Sequence, residues 1–208
     1  MSNVPGQPRC CCRVSRFTIL ALALLVVIGG GAWVWAEYFQ TYHYAVVQDG
    51  VLLRDGNRGA REFETALRKG RPRTVVSLID DQELADPHKP QFAKEMELCK
   101  ERGVRVVRIP VKLGGWPTTQ DVRRFLEIAE AKENQPVLVH CAQGVRRTGM
   151  MVAAFQESVL GLDDRSAKAA MMTFGHSQRT VKDVERFVDV YDAKDRRVTR
   201  QLEQSNEE

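Results

Sequence analysis

Histidine is scarce in this chain, and carboxylates are missing from one end of it. The 208 residues include four histidines, His43, His88, His140 and His176, and no two of them have the spacing of a metal ligand set. No metal and no cofactor is therefore expected, and these histidines read as structural or surface residues. No Asp or Glu precedes Glu37. Arg9, Arg13 and Arg16 account for three of the 31 basic residues, which leaves 28 against 27 acids in the remainder. That balance excludes the broad basic footprint of a nucleic-acid-binding protein. Cysteine is also sparse outside one cluster. Cys10, Cys11 and Cys12 precede an apolar segment, and only Cys99 and Cys141 follow it, too few for a disulfide framework. The length suits one domain with a sizeable core and an appendage rather than two enzymatic domains.

The appendage is "FTILALALLVVIGGGAWVWA", Phe17 to Ala36, which carries no charge. As a helix it is about 30 Å long, the thickness of a bilayer core. Arginines gather before it, while Trp33, Trp35 and Tyr38 gather at its far end as interfacial anchors. The positive-inside rule then leaves the N-terminus cytoplasmic and the following domain outside the cytoplasm. The three clustered cysteines would lie on the cytoplasmic side, reduced and open to acylation. A cleaved signal peptide is the competing reading, since "VWA" before Glu37 is a tolerable cleavage site, although bulky tryptophans beside it disfavour cleavage. The expected organisation is a short basic N-terminus (1–16), a membrane anchor (17–36), a folded domain (37–195) and a disordered tail (196–208) too poor in apolar residues to pack.

Within the folded domain, strand and helix patterns alternate. "YHYAVVQDGVLLRDGN" reads as two strands around a Gln48-Asp49-Gly50 turn. A helix from about Gly59 to Lys69 ends at Gly70 as C-cap, and "RTVVSLI" (Arg73 to Ile79) is a strand buried on both faces. Phe92, Met96 and Cys99 mark the apolar face of a further helix, and "VRVVRIPV" follows as a strand. Val122, Phe125, Leu126 and Ala129 mark the next amphipathic helix, before the strand "PVLVH" and the helix "TGMMVAAFQESVLG". Two more helices span roughly Asp164 to Phe174 and Val181 to Asp192. Such alternation predicts an α/β domain whose central, mostly parallel sheet is flanked by helices.

Ligands of open α/β sheets collect at the carboxyl ends of strands, and Cys141 sits at such an end, immediately before a helix. The residues Ala142, Gln143, Gly144, Val145, Arg146 and Arg147 would turn successive N–H groups toward an anion, aided by the positive end of the helix. The same field stabilises a thiolate, because cysteines at helix N-termini titrate as low as about 3.5–7.5. Arg147 can hold two phosphoryl oxygens with its planar fork, and Gly144 permits close backbone approach.

"HCAQGVRRTG" resembles the His-Cys-x-x-Gly-x-x-Arg-Thr-Gly loop of the cysteine-dependent protein tyrosine phosphatases, and the short chain resembles their dual-specificity branch. The resemblance implies that Cys141 attacks phosphorus to form a phosphocysteine and that Arg147 binds substrate and stabilises the transition state. It also implies that Thr148 assists breakdown of the intermediate and that His140 holds the loop and lowers the thiol pKa. Substrates would be phosphotyrosine and also phosphoserine or phosphothreonine, on a protein or a small phosphomonoester. Inositol phosphates or phosphoinositides are the alternative, although Ala142, Gln143 and Val145 bring none of the lysines that highly phosphorylated inositides favour.

One part of the pattern is missing. Such phosphatases take a proton donor from the loop before the preceding helix, and here that loop, "PVKLGGWPTT" (Pro110 to Thr119), has no carboxylate. Asp121 is nearest but forms a capping box with Thr118. Asp80 and Asp81 follow a strand on the same rim as the cysteine, where they also fit a solvated turn. The gap motivates a reading of another class, a pseudophosphatase that binds phosphate without turnover. Cys99 is either a protective disulfide partner of Cys141 or, by its register with Phe92, a buried apolar thiol; Trp116 lines the entrance or braces Gly114 and Gly115; Arg146 adds charge or is merely solvated.

Overall fold

The computed structural model describes residues 16–174 and 178–199. Arg9, Arg13, the three clustered cysteines, His176, the side chain of Tyr38 and the chain from 200 onward lie outside the described residues. The chain divides between Gln40 and Thr41 into two compact units. The first contains one described helix, α1 (Arg16–Phe39), whose stretch Phe17–Trp35 is long and apolar enough to cross a membrane. A helix of that kind serves either as a span or as a signal sequence.

The second unit runs β1 (Ala45–Gln48), β2 (Leu52–Gly56), α2 (Ala60–Gly70), β3 (Thr74–Ser77), α3 (Asp81–Ala85), α4 (Pro90–Glu101), β4 (Arg105–Arg108) and α5 (Thr119–Glu130). It continues with β5 (Val137–Cys141), α6 (Arg146–Ser158), α7 (Asp164–Thr173), α8 (Gln178–Val190), β6 (Tyr191–Asp192) and β7 (Arg197–Val198). The main sheet has the order β1-β2-β5-β3-β4; β1 is antiparallel to β2, and the other pairings are parallel. The Asp49-Gly50 hairpin forms as read, with Gly50 at φ +67°.

Side chains alternate across β5. Val137, Val139 and Cys141 join the layer built by α5, α6 and α8, whereas Leu138 packs on the opposite layer with Phe63, Leu98 and Cys99. Phe125, Phe155 and Phe187 are fully buried in the first layer. Each such side chain contributes about 1.5–3 kcal/mol, which is what fixes α6, and with it the loop before it, against the sheet.

Three expectations need correction. The α2 C-cap is Arg71, at φ 45°, not Gly70. Gly70 is the last helical residue, and a Cβ there would lie 2.6 Å from Leu53 Cδ1, so its smallness serves packing rather than termination. On α4 the buried face is Phe92, Glu95, Leu98 and Cys99, and Met96 is exposed, so a carboxylate stands where an apolar stripe was read. The folded unit also extends past 195: Val198 pairs with Tyr191 and is buried, so the expected tail cannot begin at 196.

Candidate active site

β5 ends at Cys141 and α6 begins at Arg146, leaving a short loop whose path is set by its carbonyl groups. The buried Arg54 donates from Nη2 to the Gly144 carbonyl at 2.5 Å, His43 Nδ1 lies 2.7 Å from the Gln143 carbonyl, and the Asn57 N–H donates to the Cys141 carbonyl at 3.0 Å. With the carbonyls tied on one side, peptide geometry turns N–H groups to the other. The Gly144 N–H accordingly donates to Cys141 Sγ at 3.2 Å. Glycine is required here because Gly144 has φ +67° and an added Cβ would collide with the Asp55 carbonyl. Gly56, beside Cys141 in the ladder, is equally constrained: its Cβ would meet the Gln143 carbonyl carbon at 2.6 Å.

Burial alone would push the Cys141 thiol up, but the Arg147 charge, the Thr148 hydroxyl and N–H, and the Gly144 N–H outweigh it and lower the pKa below that of an ordinary cysteine. The buried Thr148 hydroxyl acts on the sulfur and favours the anion. Arg147 is nearly buried. Its guanidinium grips Glu83 through both terminal nitrogens, at 2.5 and 3.0 Å, and Nη1 also donates to the carbonyls of Leu78 and Val111 at 3.0 Å each. Such a fork is held in one geometry.

His140 projects to the other sheet face, away from the sulfur. Its Nε2 lies 3.0 Å from Glu95 Oε1, and Asn57 Nδ2 donates to Glu95 Oε2 at 2.7 Å, all three residues being buried. The chain Asn57–Glu95–His140 therefore braces the backbone of Cys141 from behind. Burial would lower the His140 pKa, but the Glu95 carboxylate, with Asp55 and Cys141, raises it overall. A raised folded pKa contributes stability that is fully present below about pH 6.5, the unfolded value, and is lost as pH rises through the folded pKa. Glu95→Gln is expected to destabilise the protein by about 1.5–3 kcal/mol at pH 6. The gap should narrow as pH rises; thermal melts of both proteins across pH check this, and a gap independent of pH would contradict the pairing.

A cavity of about 340 Å³ opens over the loop, lined by Glu83, Lys89, Leu113, Gly114 and the residues Cys141, Ala142, Gln143, Arg146 and Arg147. None of the three aspartates considered from the sequence lines it. Asp80 caps α3 through a 2.6 Å bond from the Glu83 N–H and takes the Leu113 N–H at 2.7 Å, thereby tying the β4–α5 loop to the site. Despite burial, these bonds and the Arg147 charge lower its pKa, the opposite of a proton donor's need. Asp81 pairs with Arg108 at 2.8 Å, and Asp121 closes the capping box with Thr118. Among the described residues, Glu83 is the one carboxylate lining the cavity, and it is committed to Arg147.

Arg146 is not a solvated bystander. It donates to the Gly114 carbonyl at 2.6 Å, pairs with Asp183 at 2.8 Å and lies over the Trp116 ring, which is buried and braces the loop. Cys99 is buried on the opposite sheet face from Cys141, and burial pushes its thiol up to about 12. It is an apolar filler, not a disulfide partner. Glu83, Glu95, Arg54, His43 and Lys89 escaped the sequence reading. Only Glu83 left a local signal, the Asp80-x-x-Glu83 capping pattern.

A parallel-sheet rim bearing a cysteine, a glycine-centred loop and a buried arginine at the start of the next helix defines a cysteine-based phosphatase of the dual-specificity type. The chain belongs to the family described as DSP-PTPase phosphatase fused to NAD+ kinase, whose model matches residues 52–190. It is 27% identical over 132 residues to the probable chloroplastic NAD kinase 2 of Oryza sativa subsp. japonica, a match that covers 60% of this chain and 13% of that protein's length. In structure it is similar to the catalytic core of the PP-IP phosphatase SIW14 from S. cerevisiae (TM-score 0.61, 16% identity, 81% of this chain and 95% of that one). It is also similar to P. aeruginosa TpbA (TM-score 0.57, 24% identity, 77% and 94%). A cysteine-to-serine form of TpbA in complex with phosphotyrosine aligns with TM-score 0.53 at 24% identity, over 71% and 83% of the two chains.

Proposed function

We propose that this chain hydrolyses phosphomonoesters, phosphotyrosine first and phosphoserine or phosphothreonine more slowly, through a phosphocysteine on Cys141. The observation that carries this reading is that Cys141, whose sulfur takes the Gly144 N–H at 3.2 Å, lines the same cavity as Arg147. The thiolate attacks phosphorus, the S–P bond forms and the ester P–O bond breaks, while loop N–H groups and Arg147 hold the equatorial oxygens. Water then attacks the phosphocysteine, releasing inorganic phosphate and the thiolate, whose departure the Thr148 hydroxyl favours. His140 positions the nucleophile from the far side of the sheet.

The leaving oxygen takes its proton from solvent, since the cavity's carboxylate is bound to Arg147. Positioned general acids contribute typically 10²–10⁴-fold. Aryl phosphates should accordingly exceed alkyl phosphates in kcat/KM by about 10² or more. Steady-state rates for a leaving-group series test this: a flat dependence would mean that a proton donor is present after all. No turnover of any aryl phosphate would favour the non-catalytic phosphate-binding reading.

We further propose that α1 is an uncleaved single-pass anchor with the N-terminus cytoplasmic and the phosphatase unit outside the cytoplasm, the orientation that the arginines before Phe17 favour. A compartment-sensitive reporter fused after Glu208 should be active only outside the cytoplasm; activity only inside would reverse the orientation, and release into the medium would favour the cleaved signal peptide.

A further inference from the structure

A second cavity of about 420 Å³ adjoins the first and shares Lys89, Ala142 and Gln143 with it; Tyr42, Asn57, Arg58, Gln91 and Phe92 complete its wall. The two cavities therefore meet along the phosphate loop, so that a ligand held over Cys141 can reach into both. Among the described residues, no carboxylate lines the second one. Arg58 is exposed, with its guanidinium over the Tyr42 ring at 5.3 Å, which leaves its N–H edge available for an anion. Lys89 lies 3.3 Å from Asp86, so its positive charge is partly shared on that side.

The start of α4 gives independent support. Lys89 is its N-cap; the helix has no side-chain cap and no acid in its first turn. A cation at a helix N-terminus opposes the helix dipole, and although Pro90 carries no N–H and the Phe92 N–H donates to the Lys89 carbonyl at 3.2 Å, the Gln91 N–H has no intrahelical partner. A bound anion would relieve both. Asn57 also lines the cavity: it is buried, and among the described residues its Oδ1 has no protein donor while its amide nitrogen is committed to Glu95. That oxygen matches a hydroxyl placed beside the anion.

We propose that the second cavity is a subsite for a second phosphoryl group on the substrate, bound by Arg58, Lys89 and the α4 N-terminus, with Asn57 accepting from a neighbouring hydroxyl. This deepens the phosphatase reading and rests on it. The lysines absent from the loop itself are thereby replaced by cations from two other segments.

The test is titration calorimetry on the full chain carrying Cys141→Ser, which binds without turnover. Two ligand pairs separate the sources of the second phosphate. One is an inositol bisphosphate with adjacent phosphates against the monophosphate, and the other a phosphotyrosine peptide with and without a neighbouring phosphoserine. At least one bisphosphorylated ligand is expected to bind about tenfold tighter than its partner, as for one charge-assisted contact. That ratio should fall toward one when Arg58→Ala is added and be partly kept by Arg58→Lys. The pair showing the preference identifies the source. Equal affinities within both pairs, or a preference that Arg58→Ala leaves intact, would overturn the subsite. Failure of the phosphatase reading is seen separately, as absence of aryl phosphate turnover by the unmodified chain.

Discussion

Cys141→Ser lowers kcat/KM for an aryl phosphate by at least about 10⁴-fold, the loss expected when the covalent nucleophile of a concerted site is removed. The size follows from the chemistry of the sulfur rather than from its packing. Cys141 is 3% exposed, and serine is close to isosteric, so the fold should persist. What is lost is the anion: the Gly144 N–H, the Thr148 hydroxyl and the Arg147 charge lower a thiol's pKa, whereas a serine hydroxyl starts far too high for the same field to ionise it. Steady-state kinetics and a thermal melt together check both halves. Residual activity within tenfold of the unmodified chain would remove Cys141 from the reaction.

Arg147→Ala should have two large effects at once. A phosphoryl-binding arginine is worth about 10³–10⁵ in rate. Here the same side chain also neutralises Glu83, which is 3% exposed, so its removal leaves a buried carboxylate unpaired, at a cost of about 3–5 kcal/mol. The carbonyls of Leu78 and Val111 lose their donor too. The effects separate in the double variant Arg147→Ala, Glu83→Gln: the melting temperature should recover in large part and the activity should not. If activity returned with stability, Arg147 would be a structural residue alone.

The parts legible in the sequence were those whose signals are local. Val137 to Thr148 announced strand, thiol, glycine turn and helix start within a dozen residues, and the Thr118–Asp121 capping box was visible as a four-residue pattern. What escaped depends on pairing across the sheet. Arg54 and His43 hold the loop carbonyls from 90 and 100 residues away, and nothing near them hints at those bonds. Glu95 was hidden because Met96 fitted the apolar spacing equally well, and only the position of His140 opposite α4 decides which residue turns inward. Glu83 had a visible motif, but its role requires Arg147 to arrive from α6. Val198 belongs to the core through a two-residue pairing too short for any periodicity to reveal.

Turnover and binding variants all bear on one claim, that the phosphoryl group passes through the sulfur of Cys141. Its most direct test is to quench the full chain in acid during turnover of an aryl phosphate and map phosphorylated residues by mass spectrometry. One phosphoryl group on the peptide containing Cys141, absent from Cys141→Ser, is the expected result. Turnover with no phosphoenzyme, or with the phosphoryl group on another residue, would contradict it.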